Sequence, residues 1–427
     1  MPPRPFAEIV PMTGMNTATS ADTLPVSPGE RFVLLDALRG LALFGIALAN
    51  FPEFSLYSFL PESAAAAMLT ATLDHILRFL QYVFIDGKFY TIFSVLFGIG
   101  FALLLGNAAR KGTNGLALFY RRMSVLFTAG LLHLLFLWSG DILALYAMLG
   151  MTLVFFRRVS DKALLILAAA LLLVPVGIDA VREATGFHPS APAVRMQQYY
   201  CARYGITDEN FAYWLRDARG YPEVFHFLVQ GAFVRAQEFI DGNRIFKVMG
   251  LFLLGFSVGR NRLYADPGKH KFLLKQTARY GFALGLPFSV AYAYSATHGR
   301  PWGLAAHAAL YAAGVFPLGL AYMAAFCLWH MRHPRNPVFH VLAAPGRMAL
   351  TNYLGQSVCG MAIFYGLGLG WGASLGLTGT LAIASTVFFA EAALSRLWLQ
   401  CFRFGPAEWL WRMLTYKKAL PLLKEHP

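Results

Sequence analysis

The chain has 427 residues, of which 57% are apolar and 14% are charged. Soluble domains carry about 25% charged residues, so this composition excludes an ordinary soluble protein. Several apolar runs reach the roughly 20 residues that a helix needs to cross a bilayer core. The net charge of +14 would suit a nucleic-acid partner, but it also suits cytoplasmic loops rich in Lys and Arg. The positions of the charges decide between these two explanations.

Ten apolar segments are predicted to cross the membrane. They lie near residues 32–51, 84–106, 120–138, 141–156, 163–181, 244–259, 278–297, 302–329, 347–369 and 376–397. Every second loop is strongly basic, as in 260–279, whereas the loops between are acidic or balanced, as in 52–75, which has no Lys or Arg. This alternation is typical of an all-α polytopic membrane helix bundle with both termini in the cytoplasm. It explains the net charge, so we predict no nucleic-acid partner.

The spans divide the chain into four parts. Residues 1–30 are rich in Pro, Ser and Thr and predict a flexible N-terminal tail. Residues 31–181 and 244–427 each hold five predicted spans and are expected to form two membrane halves. Residues 182–243 are too polar to span and too aromatic to be disordered, so we expect an extracytoplasmic helical lid. Within this lid, the segment 225–241 has the pattern of a helix that lies at the interface.

The first span carries two opposite charges, Asp36 and Arg39. A spacing of three places them on one helical face, near the cytoplasmic end. Charged groups at membrane depth usually face a bundle interior or a water-filled cavity. Two interpretations stay open: a local ion pair that anchors the helix, and a site where Arg39 binds a phosphate or carboxylate. We predict that this helix lines an internal cavity.

Four polar residues are predicted to converge near the outer ends of the spans. Asn50 ends the first span, and Lys88 begins the second. His133 lies near the end of the third span, and Asp141 opens the fourth across a tight turn. An acidic partner within hydrogen-bond reach would orient the imidazole as a general base. The alternatives are a packed histidine beside a helix-capping Asp141, and a Lys88 that extends to the interface.

A further polar group opens the ninth span. Arg347, Asn352 and Gln356 enter it from the cytoplasmic side, and a helix start beside an arginine suits an anion. Hydrogen bonding between helices is the alternative for these side chains. Neither the four cysteines nor the histidines show the spacing of metal ligands, so no metal site is predicted.

Five motifs resemble the YeiB-like family of bacterial inner-membrane proteins, a domain of unknown function. The motifs are LDALRG at 35–40, GKFYTIFSVLFGIG at 87–100, HLLFLWSGDILALYAMLG at 133–150, GRMALTNYLGQS at 346–357 and GPAEWLWRMLTY at 405–416. The opening LDxxRG is also distantly similar to that of the transmembrane acyltransferases. This similarity implies transfer of an acyl group from cytoplasmic acyl-CoA to a glycan or lipid acceptor across the bilayer. Those enzymes carry a catalytic histidine in or just after the first helix, whereas the first histidine of this chain is His75.

Two functions follow as hypotheses. In the first, the chain is an acyltransferase-like protein of the bacterial inner membrane, in which His133 and Asp141 form the base and Lys88 or Asn50 stabilises the oxyanion. The residues assigned to donor binding are Asp36, Arg39, Arg347, Asn352 and Gln356. In the second, the same residues line the path of a transporter or binding protein for a small polar or amphipathic solute. No tightly bound cofactor is predicted besides acyl-CoA as donor; membrane lipids are expected partners, and a homodimer stays open.

Overall fold

A computed structural model describes residues 33–424. Over this range the regular secondary structure is helical, with no β-strand, which confirms the all-α prediction. The predicted flexible tail, residues 1–30, lies outside the described residues.

The helices follow one another with short connections. The first six are α1 (Val33–Phe54), α2 (Glu62–Ala66), α3 (Ala71–Phe84), α4 (Lys88–Arg110), α5 (Gly115–Phe136) and α6 (Leu143–Thr152). The next four are α7 (Asp161–Thr185), α8 (Ala191–Tyr204), α9 (Trp214–Asp217) and α10 (Tyr221–Asp241). The remaining seven are α11 (Arg244–Arg260), α12 (Lys271–Thr297), α13 (Gly303–Arg332), α14 (Pro337–Arg347), α15 (Ala349–Phe364), α16 (Leu377–Cys401) and α17 (Pro406–Tyr416).

Six stretches in the described range are long and apolar enough to cross a membrane. They are Val33–Phe54, Ala71–Arg110, Gly115–Phe136, Asp161–Thr185, Gly303–Arg332 and Leu377–Cys401. The other predicted spans, 141–156, 244–259, 278–297 and 347–369, contain helices that are shorter or less apolar. The chain is therefore a polytopic membrane helix bundle, and the count of ten spans stays a prediction.

The helix within the predicted span 347–369 is shorter than the span at both ends. Helix α14 stops at Arg347, and α15 runs only from Ala349 to Phe364. After it, the glycine-rich segment GLGLGWG at 366–372 leaves the helix, and Gly370 has a left-handed φ of 67°. Glycine is favoured in this conformation because it has no Cβ to clash with the backbone. The helix is therefore shorter than the apolar run that predicted it.

The surface of the bundle is apolar where lipid would contact it. Large apolar side chains are exposed along α7 and α16, including Ile166, Leu173, Phe389 and Leu394. Charged and polar side chains are buried instead, among them Lys88. This arrangement is expected in a bilayer, because hydrocarbon accepts apolar side chains freely and cannot solvate charge.

Helices distant in the chain pack closely on one another. α1 lies against α14 and α16, α11 lies against α4 and α7, and α12 pairs with α13. The segment predicted as a lid is helical, and its α10 packs on α5 and α11. The contact of α1 with α14 has glycine on both sides, since a Cβ on Gly40 would overlap the carbonyl oxygen of Leu342. Likewise, a Cβ on Gly346 would overlap the carbonyl oxygen of Asp36. Small residues allow this backbone approach in membrane bundles.

We expect the substitution Gly346→Ala to destabilise the protein. The added methyl group would meet backbone atoms of α1, which cannot move aside as a side chain can, and overpacking typically costs about 1–3 kcal/mol. Thermal unfolding in detergent should show a lower midpoint for this variant. Gly177→Ala is the matched control, because the space around Gly177 on α7 is open. Equal midpoints for the two variants would contradict the close contact of α1 with α14.

Candidate functional site

A cavity of about 1940 Å³ lies inside the helix bundle, and we call it the central cavity. One face of α1 lines it through Asp36, Arg39, Leu43, Ile46, Asn50 and Glu53. These positions alternate by three and four residues, which is the spacing of one helical face. Between Asp36 and Glu53 the helix rises about 26 Å, close to the ~30 Å thickness of a hydrocarbon core. The prediction that the first helix lines an internal cavity is confirmed.

The end of the central cavity beside the start of α1 is strongly cationic, and we call it the basic end. Arg39 lies there with its Nη1 2.6 Å from Asp36 Oδ1, which is the ion pair of the first of the two interpretations. Arg122, Arg347 and Arg412 line the same end from α5, α14 and α17. Further cations lining it are Arg110, Lys111, Arg157, Arg260, Arg262 and Arg403. A concave surface lined by one sign of charge concentrates ligands of the opposite sign, so this end suits an anion.

Glu408 of α17 also faces the basic end, but its carboxylate is committed to α15. It accepts hydrogen bonds from the backbone N–H groups of Leu350 at 2.7 Å and Thr351 at 3.1 Å. The Thr351 hydroxyl donates a third at 2.5 Å. Burial raises the pKa of the Glu408 carboxyl above its ordinary value, while the hydrogen bonds act in the opposite direction. Glu408 therefore caps a helix start.

The other end of the central cavity, where α1 finishes, carries both signs of charge, and we call it the mixed end. Glu53, Asp86, Arg244, Lys247 and His307 line it. Between the two ends the lining is largely apolar, with Leu43, Phe97, Phe101, Met123 and Leu126. The central cavity is thus amphipathic along its length, with charged ends and a hydrophobic middle.

His133 and Asp141 meet as the sequence predicted, but away from the central cavity. His133 Nδ1 lies 2.9 Å from Asp141 Oδ1, and His133 Nε2 lies 2.8 Å from Ser357 Oγ on α15. The second Asp141 oxygen accepts the backbone N–H of Ala144 at 2.9 Å and so caps α6. All three side chains are 1% exposed, and none of the three lines the cavity. Their order matches a hydrolase triad, but all three side chains are buried away from the cavity and present no face to a substrate, which favours the packed-histidine interpretation.

Arg235 strengthens this sealed network from α10. Its Nε donates to the carbonyl oxygen of Asp141 at 2.8 Å, and its guanidinium also bonds the carbonyl of Gly140. These two hydrogen bonds attach the turn between α5 and α6 to α10. The bonds of His133 and Asp141 hold the same turn to α5 and α6. These contacts join four helices around one buried turn.

The four residues expected to converge at the outer side do not form one site, because only His133 and Asp141 meet. Asn50 lines the central cavity, whereas Lys88 is fully buried outside its lining. Lys88 Nζ donates to the carbonyl oxygen of Tyr82 at 2.6 Å, so it does not extend to the interface either. The sequence placed the four at similar depth, but depth does not determine the direction in which a side chain points.

The five residues assigned to donor binding also separate into two groups. Asp36, Arg39 and Arg347 line the basic end. Asn352 Nδ2 instead bonds Ser395 Oγ at 2.9 Å, and Gln356 Nε2 bonds Glu391 Oε2 at 3.0 Å, both across to α16. Neither Asn352 nor Gln356 lines the cavity, so the alternative of hydrogen bonding between helices describes them.

His307 is a cavity residue that the sequence did not single out. It is the one histidine among the described residues that lines the central cavity. Its Nδ1 lies 2.9 Å from Ser295 Oγ, and its ring centroid is 5.0 Å from that of Tyr292. Spacing gave no signal, because its partners come from the preceding helix. Lys88 was selected because it is a charged residue in an apolar segment. Lys247 meets the same criterion and could have been selected in the same way.

The substitution Asp141→Ala should unfold the protein more easily. It removes the partner of His133 and the cap of α6 together, and breaking a buried charged network costs about 3–5 kcal/mol. Asp141→Asn should cost less, because its amide oxygen can still accept one of these hydrogen bonds. Thermal unfolding is the measurement, with Asp208→Ala on the exposed loop after α8 as control. A midpoint for Asp141→Ala as high as that of the control would show that the network contributes nothing to stability.

Comparison with known proteins finds relatives along almost the whole chain. A family model described as a protein of unknown function, DUF418, matches residues 258–418. The uncharacterized protein YxaH of Bacillus subtilis (strain 168) is 30% identical over 416 residues, covering 94% of this chain and 98% of that protein. The uncharacterized protein YeiB of Escherichia coli (strain K12) is 28% identical over 420 residues, covering 93% of this chain and 99% of that protein.

A third relative is an uncharacterized 39.9 kDa protein in the amylase 3′ region of Bacillus acidopullulyticus. It is 28% identical over 404 residues, covering 93% of this chain and 98% of its own. No solved structure matches the chain. The alignment with YxaH spans both membrane parts and the segment between them, and the chain therefore belongs to the DUF418 family.

Proposed function

We propose that the chain is a transmembrane acyltransferase-like protein of the bacterial inner membrane. An acyl-CoA-type donor binds with its anionic part at the basic end and its acyl group in the central cavity, and the acceptor binds at the mixed end. The observation that carries this proposal is the amphipathic lining along one face of α1 from Asp36 to Glu53. The relatives are bacterial, and the positive-inside rule favours a cytoplasmic position for the basic end.

The size of the central cavity supports a large donor. Ligand pockets commonly measure roughly 300–1,000 Å³, and this cavity has about 1940 Å³. Arginine binds phosphate groups through paired N–H donors, and Arg39, Arg122 and Arg347 supply such donors at one end. The apolar wall between the ends suits an acyl chain.

His307 is the base that the geometry favours in place of His133. If Ser295 Oγ accepts the Nδ1 proton, the Nε2 of His307 is left unprotonated and able to accept a proton. The acceptor hydroxyl or amine would then attack the thioester carbonyl carbon while its proton passes to Nε2. The new acyl–oxygen or acyl–nitrogen bond forms, the carbon–sulfur bond breaks, and the CoA thiolate takes up the proton.

Transport or binding of an amphipathic solute is the second candidate. The continuity of the lining between two charged ends favours it, because a solute path needs groups that bind at both sides. The two functions differ in one measurable respect: a transferase cleaves the thioester, whereas a transporter leaves it intact.

CoA should bind the purified protein through the basic end. Arg39→Gln and Arg347→Gln should each weaken binding about tenfold, because each removes charge-assisted hydrogen bonds worth about 1.5 kcal/mol or more. Isothermal titration at low and high salt is the measurement, and salt should weaken binding. Arg335→Gln is the matched control, since Arg335 is exposed on the loop before α14, outside the cavity lining. Binding that is unaffected by either cavity substitution would contradict the donor site.

Loss of the base should stop turnover without preventing donor binding. In vesicles of bacterial lipid extract supplied with acetyl-CoA, His307→Gln should release free thiol about 100-fold more slowly than the wild type. CoA affinity should stay within about twofold. His298→Gln is the control, because His298 is exposed beside the same end of the bundle. Thiol release at the wild-type rate in His307→Gln would reject this base, and a wild type that binds CoA but releases no thiol would reject acyl transfer and favour the second candidate.

A further inference from the structure

Two cations at the mixed end form no direct ion pair with any acid of the described part of the chain. Arg244 and Lys247 line the central cavity from the first turn of α11. Within residues 33–424, neither side chain forms an ion pair or a hydrogen bond. Lys247 Nζ instead lies 4.0 Å from the ring centroid of Tyr311, and the Arg244 guanidinium lies 5.8 Å from that of Tyr90. Cations in such a partly buried place are costly unless an anion joins them.

Most acids around them are already engaged. Asp86 Oδ2 accepts a hydrogen bond from the Tyr292 hydroxyl at 2.7 Å. Glu238 pairs with Arg235 at 2.5 Å. Asp179 and Asp241 both bind Arg182, at 3.1 Å and 2.8 Å. Glu53 on α1 also faces this end, but it forms no ion pair with either cation. Among residues 33–424, no acid therefore forms a direct ion pair with Arg244 or Lys247.

Further donors near these two cations also lack acceptors. The Tyr90 hydroxyl is buried and has no hydrogen-bond partner among the described residues. The N-terminus of α11 has no side-chain cap, because Asn243 Nδ2 bonds Asp179 Oδ1 at 3.0 Å instead. A spacing of three places Arg244 and Lys247 on one helical face, near the positive end of the helix dipole. Each of these groups favours a negatively charged ligand.

We infer that Arg244, Lys247 and the Tyr90 hydroxyl form an oxyanion-binding subsite at the mixed end of the central cavity. Its ligand carries a phosphate or carboxylate, for which Arg and Lys donors are suited. With the proposed function, on which this assignment rests, the ligand is the acyl acceptor: the oxyanion anchors it while its hydroxyl or amine faces the thioester. The anion can belong to a lipid headgroup or to a soluble molecule.

The test separates this subsite from the basic end by mutation. In full-length protein carrying Arg39→Gln and Arg347→Gln, stabilisation against heat is titrated with inorganic phosphate at constant ionic strength. Adding Arg244→Gln and Lys247→Gln should weaken the remaining phosphate response at least tenfold. Lys247→Arg keeps the charge and should keep the response, and Arg195→Gln on the exposed face of α8 is the matched control. A response that survives the removal of both cations would overturn the inference.

The source of the anion is tested in nanodiscs. Native mass spectrometry of wild type and of Arg244→Gln/Lys247→Gln compares the retention of phosphatidylglycerol with that of phosphatidylcholine. Selective loss of phosphatidylglycerol in the variant would identify a lipid headgroup, whereas an effect on inorganic phosphate alone would identify a soluble anion. If neither probe distinguishes the variant from the wild type, the subsite does not exist. Thiol release from acetyl-CoA is followed separately, so that a wild type that binds phosphate without cleaving the thioester rejects acyl transfer and retains the subsite.

Discussion

A helix face that carries charge cannot lie against lipid, because hydrocarbon neither solvates ions nor offers hydrogen bonds. On α1 this constraint applies to a face that begins with Asp36 and ends with Glu53. Beside this face, at Asp36 and Gly40, the helix packs on α14, where glycine allows backbone to meet backbone. The charged face is therefore turned inward, and the surrounding helices enclose a space that has to hold water or a ligand. The central cavity follows from this one requirement.

The bundle contains two kinds of buried polar group, and they differ in what they can do. His133 has a protein partner at each ring nitrogen and does not line the cavity. Its hydrogen bonds hold α5 to α15 and to the turn before α6. His307 has a protein partner at Nδ1 and lies in the cavity lining. A satisfied group stabilises the fold, whereas a group that faces a cavity is available for chemistry. Burial at membrane depth alone does not distinguish the two.

The charges at the two ends of the central cavity also differ in kind. The basic end has many cations and two acids, one of which, Glu408, is occupied in capping α15. The mixed end has nearly balanced charge, yet Arg244 and Lys247 take part in none of the ion pairs found there. Both ends therefore present donors to an anion, and they lie beside the opposite ends of a face of α1 that rises about 26 Å. The proposed acyl transfer uses this arrangement by placing a donor and an acceptor at opposite ends of the cavity.

The sequence by itself determined the membrane class, the helical bundle and the family motifs. It also indicated the Asp36–Arg39 pair and the His133–Asp141 contact, each as one of two interpretations. These features are local: they depend on apolar run length, on spacings within one helix, or on one tight turn. Only the tertiary structure decided that Asn50 and Arg347 face the central cavity while Lys88, His133, Asn352 and Gln356 do not. It also brought His307, Arg244 and Lys247 to the same end, because α11 and α13 pack beside α4. The rotation of a helix about its axis depends on its neighbours, and in an apolar span many rotations satisfy the same sequence pattern until those neighbours are in place.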